Sequence, residues 1–234
     1  MNISCIKKTG LVLLLATIIT ACGKTDNLDP SQVVVGDKIE KVKTYGQFTP
    51  KQQKQFDKAN QYIQKQDFDS AVKILIPLAE EGQPDAQNSL AFIYLKQNKV
   101  FDAKQWWEKA ANQNHPEAQN NIGTIYLQGI GVDYDYEKAR QYLEKAAEQN
   151  SILAMNNLGM MYMHGTGVET DYARAKEYLS KSADQGSALA QYNLAMIYLN
   201  GLGEAVNKEQ AKKYLQMAAN QGDEEAQQRL KSLE

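Results

Sequence analysis

Residues 118–150 read AQNNIGTIYLQGIGVDYDYEKARQYLEKAAEQN, and residues 154–186 write the same unit again as AMNNLGMMYMHGTGVETDYARAKEYLSKSADQG. Residues 190–222 write it a third time as AQYNLAMIYLNGLGEAVNKEQAKKYLQMAANQG. The leading alanines Ala118, Ala154 and Ala190 are 36 residues apart, and Ala226 continues the beat. Self-similarity at a fixed period of this length marks a solenoid, in which each unit buries its apolar face only against its neighbours.

Within each unit the apolar positions follow a helical period twice. The fourth column after the leading alanine reads Leu90, Ile122, Leu158 and Leu194; the next reads Ala91, Gly123, Gly159 and Ala195; three further on come Tyr94, Tyr126, Tyr162 and Tyr198. These offsets share one face of a 3.6-residue helix. The second half of the unit carries Ala103, Ala139, Ala175 and Ala211, then Trp106, Tyr142, Tyr178 and Tyr214 beside Trp107, Leu143, Leu179 and Leu215. The small columns predict a close approach of two helices, and the large ones fill the space between neighbouring pairs. Gln113-Asn114, Gln149-Asn150, Gln185-Gly186 and Gln221-Gly222 close the units with residues that tolerate a left-handed turn. The fold class is therefore all-α, a stack of antiparallel helix pairs.

Working outward, residues 51–82 form a related helical hairpin, its second helix running from Asp69, as N-cap, to Glu81, with Pro77 on its outer face and Gly82 as its stop. Residues 223–234 are a final capping helix. Residues 22–50 contain Asp29-Pro30, Gly36, Gly46 and Pro50 without helical periodicity and read as a flexible tether, with Val33-Val34-Val35 able to make a brief strand-like contact. A flexible stretch of this length spans on the order of 25–30 Å.

The first 21 residues read as a signal peptide: Lys7 and Lys8, then the apolar run Leu11–Thr20, shorter than the roughly 20 apolar residues that cross a bilayer. Ile19-Thr20-Ala21-Cys22 resembles the bacterial lipobox, which makes Cys22 the lipidated first residue after cleavage. Such a cysteine carries more than one acyl chain, palmitate among them, and two chains anchor stably where one does not. Cys5 leaves with the signal peptide, so no disulfide framework and no cysteine metal site remain. Processing removes two lysines and no acid, taking the formal charge from −2 to −4. Neither value suits nucleic-acid binding. By resemblance to Gram-negative lipoproteins, Gly23 after the cysteine points to the outer membrane, with the chain facing the periplasm.

The pattern A-x-x-x-[LI]-[GA]-x-x-Y-x-x-G-x-G-V, followed by A-x-x-[YW]-[LW]-x-x-A-A-x-[QN]-[GN], resembles the Sel1-like repeat family, relatives of tetratricopeptide repeats. The resemblance covers residues 83–222 as four units. The loop glycines are Gly129 and Gly131, Gly165 and Gly167, and Gly201 and Gly203, with Glu204 where Val132 and Val168 stand earlier. The first unit departs most, having the shorter loop Gln97-Asn98-Lys99. The resemblance implies a right-handed α-solenoid whose first helices line a concave groove.

Chemistry is sparse. Gly-x-Gly follows a helix and lacks the third glycine of a dinucleotide fingerprint, so it has a backbone role. His115 and His164 are the only histidines; neither has a ligand at i, i+4, which argues against a metal site, and both read as surface residues. The Trp106-Trp107 pair falls in the packing columns. Some disulfide-rich Sel1-like proteins are linked to β-lactam chemistry, but their paired cysteines are missing, and no serine sits in a nucleophile motif. No enzyme and no cofactor is expected.

A binding surface is suggested instead. By analogy with tetratricopeptide repeats, the concave face carries Asn88, Asn120, Asn156 and Tyr192 in one column and Phe92, Thr124, Met160 and Met196 in the next. Amides suit an extended peptide backbone, and methionines supply adaptable apolar contacts; asparagines that bridge neighbouring helices are the competing explanation. The expected function is a membrane-tethered scaffold that binds a protein or peptide. The alternatives are an immunity protein against a periplasmic phospholipase-type effector and, in another class, a cell-envelope hydrolase with an unrecognised site. Cys22→Ser is expected to release the protein from membranes on fractionation; retention in the membrane pellet would overturn the lipobox assignment.

Overall fold

A computed structural model describes residues 46–233 and the backbone of 32–35 and 38–41. Cys22 and the signal segment lie outside the described residues. Within the stretch read as a tether, β1 (Gln32–Val35) pairs antiparallel with β2 (Lys38–Lys41), Val33 opposite Glu40 and Val34 opposite Ile39. The β-branched run at Val33–Val35 favours such pairing.

Eleven helices follow among the described residues, joined by short turns. They are α1 (Pro50–Gln64), α2 (Phe68–Glu80), α3 (Pro84–Lys96), α4 (Val100–Asn112), α5 (Pro116–Gln128) and α6 (Tyr136–Glu148), then α7 (Ile152–His164), α8 (Tyr172–Asp184), α9 (Ala188–Asn200), α10 (Lys208–Asn220) and α11 (Glu224–Lys231). Consecutive helices pack as pairs, α3 with α4, α5 with α6, α7 with α8 and α9 with α10, and each pair leans on the next. This is the predicted α-solenoid.

Helix starts follow local chemistry. Pro50, Pro84 and Pro116 take the first helical position, where no backbone donor is lost. Asp135, Asp171 and Asn207 accept N–H bonds, each about one turn into its second helix, at 3.0 Å. The second helix of the first hairpin starts at Phe68 rather than after Asp69, because Asp67 is the residue whose carboxylate accepts the Ser70 N–H. Pro77 does lie on an exposed face of α2.

First helices are capped in a way the sequence did not announce. In the later units the residue three before the leading alanine accepts that alanine's N–H, Ser151 from Ala154, Ser187 from Ala190 and Asp223 from Ala226, whereas Gln83 before Ala86 makes no such bond. His115 fills the same place with its Nδ1, 3.2 Å from the Ala118 N–H. The surface role expected for His115 is thus corrected. It is 2% exposed, with Nε2 3.4 Å from Asp85 and Nδ1 3.1 Å from Glu117. Burial pushes the Glu117 carboxyl above its usual range, against the pull of His115. Asp85 also accepts the Gly46 N–H at 2.9 Å, so the chain is held on the solenoid from Gly46 onward.

The core is a row of small clusters, one per junction. Leu90, Ile122, Leu158 and Leu194 are fully buried, as are Leu143, Leu179 and Leu215 opposite them. The small column works as predicted. A Cβ on Gly159 would stand 2.6 Å from Leu179 Cγ and 3.3 Å from the Ala175 carbonyl; one on Gly123 would stand 2.9 Å from Leu143 Cγ. The loop glycines join units. Gly167 has φ +70° and its missing Cβ would overlap Tyr136 Cβ at 2.0 Å, so the loop of one pair lies flat on the start of the previous pair's second helix. Glu204, which replaces the loop valine, accepts a bond from Lys176 Nζ of the preceding pair at 3.0 Å.

Gly159→Leu is expected to destabilise by at least about 1–3 kcal/mol, the usual cost of overpacking. Thermal unfolding followed by circular dichroism should show a lower, broader transition, because the damage uncouples the α7–α8 pair from its neighbours. An unchanged curve would mean that the pair does not approach as described.

Candidate interaction surface

The first helices α3, α5, α7 and α9 are tied directly to one another by asparagines. Asn157 donates from Nδ2 to Asn120 Oδ1 at 3.1 Å, and Asn193 donates to Asn156 Oδ1 at 3.2 Å. Asn121 donates to Asn88 Oδ1 at 3.4 Å, and the same oxygen accepts the Trp107 indole N–H at 2.8 Å. The two amide columns of the sequence are therefore partners. One unit supplies the acceptor and the next supplies the donor.

This changes what the predicted site residues do. Asn88, Asn120 and Asn156 are 5%, 5% and 2% exposed, so they form a buried floor and bridge the units. Phe92, Thr124, Met160, Tyr192 and Met196 are half-buried and reach the surface above them. Thr124 Oγ1 donates to the Asn120 carbonyl at 2.9 Å and accepts from Asn157 at 3.3 Å. Trp107 belongs to the core, while Trp106 is half-buried with Lys109 Nζ 3.7 Å from its ring centre.

A glutamine column next to the leading alanine went unread in the sequence. Gln119 donates to the Ala111 carbonyl of the preceding unit and accepts from Gln149 of its own, at 3.3 and 2.8 Å. Gln87 with Ala79 and Gln113, and Gln191 with Ala183 and Gln221, repeat the arrangement. The Ala-Gln dipeptide at 86–87, 118–119, 190–191 and 226–227 was the available signal. Met155 breaks the column; there Ser182 donates to the Ile152 carbonyl at 3.0 Å instead.

A hollow of about 450 Å³ opens above the floor between α7 and α9. Met160, Met163 and His164 line it from α7, and Met196 and Asn200 from α9. Asn193 forms its base, with Tyr172 and Leu202 at the sides. No acid, lysine or arginine lines it. Partial burial holds the His164 imidazole below its usual pKa, favouring the neutral ring. A larger hollow of about 720 Å³ opens along the loops beside α6 and α8, but its cations are engaged. Arg140 binds Glu137 and Glu144, each at 2.8 Å, and Arg174 donates to the Tyr162 hydroxyl at 3.1 Å.

The opposite rim carries aromatic pairs. Tyr126 stacks on Tyr142, Tyr162 on Tyr178 and Tyr198 on Tyr214, with ring centres 5.8–6.3 Å apart and planes within 5°. The Tyr126 hydroxyl donates to Glu108 at 3.2 Å, and the Tyr162 hydroxyl accepts from Arg174 at 3.1 Å. Among the described residues no group of three or more His, Cys, Asp or Glu side chains is placed to hold a metal ion, and no helix is long and apolar enough to cross a membrane.

Fold and surface together define an α-solenoid scaffold of repeated helix pairs presenting an inner strip that is uncharged along α5, α7 and α9. The Sel1 repeat model matches residues 84–115, 116–151, 152–187 and 188–223, and the chain belongs to the Sel1 repeat family. Sel1 repeats are protein-interaction scaffolds and generally non-enzymatic. A Sel1 repeat protein of Oxalobacter formigenes is similar over 75% of this chain and 73% of its own, at 29% identity and a TM-score of 0.69. A Sel1 repeat protein of Klebsiella pneumoniae aligns over 81% of this chain and 99% of its own, at 20% identity and a TM-score of 0.54. An immunity protein of Pseudomonas aeruginosa shares the fold over 77% of this chain and 68% of its own, at 22% identity and a TM-score of 0.55. No curated protein matches the chain by sequence.

Asn157→Ala is expected to leave two acceptors, Asn120 Oδ1 and Thr124 Oγ1, without their donor, at a cost of about 1–3 kcal/mol for buried groups. Asn200→Ala, at the exposed end of α9, should leave stability unchanged. Urea denaturation of both variants checks the contrast, and equal midpoints would remove the bridging role.

Proposed function

We propose that this chain is a membrane-tethered scaffold of the bacterial cell envelope that binds a protein partner along its first helices. The observation that supports this most directly is the strip formed by Phe92, Thr124, Met160, Tyr192 and Met196 over a buried amide floor, uncharged along α5, α7 and α9 and met by Lys96 only at its Phe92 end. Such a strip excludes charged ligands through their desolvation cost and suits apolar side chains flanked by peptide amides. In this reading Asn88, Asn120 and Asn156 hold the strip in register from below. Cys22 supplies the lipid anchor, the segment before Gly46 sets the distance from the bilayer, and the outer membrane is the site of action.

A second reading, an immunity protein against a periplasmic effector, has in its favour the fold shared with the Pseudomonas immunity protein. It asks for a broad, rigid surface and no chemistry, which a solenoid supplies. The identity of the bound partner separates the two readings, a toxic enzyme favouring immunity.

Photo-cross-linking in cells tests the scaffold. A photoreactive residue at Met196 should give one discrete adduct and the same residue at Lys109 none, and Met160→Lys together with Thr124→Lys should abolish the adduct. Adducts from Lys109 alone, or an adduct indifferent to the lysines, would move binding off the first helices.

A further inference from the structure

The hollow between α7 and α9 is rich in sulfur. Met160, Met163 and His164 stand at i, i+3 and i+4 on α7 and so project from one face. Met196 comes from the matching position of α9, one period later. All four line the same space. The Asn193–Asn156 bond of 3.2 Å fixes α9 against α7. Long unbranched side chains from both helices therefore face one shared hollow. Among the described residues no hydrogen bond or ion pair engages the His164 ring.

The donors here are three uncharged thioether sulfurs and one imidazole, in a space that no charged side chain lines. Thioether is a soft donor that selects Cu(I)-type ions over hard or borderline divalent ones. Neutral ligands also fit a singly charged ion best, because the cost of drying a cation rises steeply with its charge. The histidine, cysteine and carboxylate spacings that argue against a zinc-type site say nothing against this donor class. We propose that Met160, Met163, Met196 and His164 form a binding site for a soft monovalent cation of the Cu(I) class. The site is a property of this hollow alone and does not rest on the partner reading.

The full chain carrying Cys5→Ser and Cys22→Ser, so that no thiol competes, is titrated anaerobically with Cu(I) against bicinchoninate. The expected result is one equivalent retained by the protein, with sulfur and nitrogen neighbours of copper in X-ray absorption. Met160→Leu/Met163→Leu/Met196→Leu keeps the apolar volume and removes the sulfur, and should abolish retention; His164→Gln should weaken it. A parent that holds no copper, an absorption spectrum without sulfur neighbours, or a triple variant that binds as the parent does would each overturn the site. His164→Gln leaves every residue of the inner strip in place, so its cross-linking from Met196 should be unchanged while its copper retention falls, and loss of copper and loss of the partner are read separately.

Discussion

Every pair in this solenoid depends on how closely its two helices approach. At Gly159 the backbone of α7 comes so near α8 that one methyl group would stand 2.6 Å from Leu179. The leucine fills the space that the missing side chain leaves, and it is fully buried for that reason. Gly123 with Leu143 repeats the contact, and Ala91 and Ala195 occupy the same column in the outer units. With the interhelix distance set there, the tyrosine columns a turn further on come into parallel register and stack within each pair. Dispersion contacts at this density are individually weak, but they are lost together if the spacing opens.

Joining the pairs is mainly the work of amides. Glutamines add a bond to carbonyls near the ends of the preceding second helices, which also accept an N–H from the turn that follows. Asparagines connect first helix to first helix on the other side of the leading alanine. Amides carry both donor and acceptor, so a single residue type serves both neighbours. The bonds are directional and buried, so they fix the rotation of one pair on the next, which apolar packing alone specifies poorly. Met155 is the one interruption, and it falls at the unit whose outward face is richest in methionine.

The same arrangement shapes the surface. Because the amides are consumed below, what reaches solvent along α5, α7 and α9 near the inner strip is thioether, hydroxyl and aromatic, with the charges drawn to the second helices and loops. Arg140, Arg174, Lys176 and Lys181 are each engaged by a nearby carboxylate or hydroxyl, so the loop rim is polar yet largely self-satisfied. An adaptable, uncharged strip between such rims is suited to recognition through shape and desolvation rather than through ion pairing.

The sequence by itself determined the architecture. A 36-residue period, two helical faces per unit, small columns opposite large ones and Gly or Asn at each unit end leave few other ways to bury the apolar residues. It determined the packing fate of Trp107 and the backbone role of the loop glycines for the same reason, since periodicity reports which face a residue occupies. It could not tell a buried amide from an exposed one. Asn88, Asn120 and Asn156 lie on the outward side of a single helix pair and become interior only when the next pair docks and supplies Asn121, Asn157 and Asn193. His115 likewise looks like a turn residue until the Asp85 end of α3 and the start of α5 close around it. Only tertiary structure decided these cases, because polar burial depends on partners 30 to 37 residues away in the chain, and hydrophobic period carries no information about them.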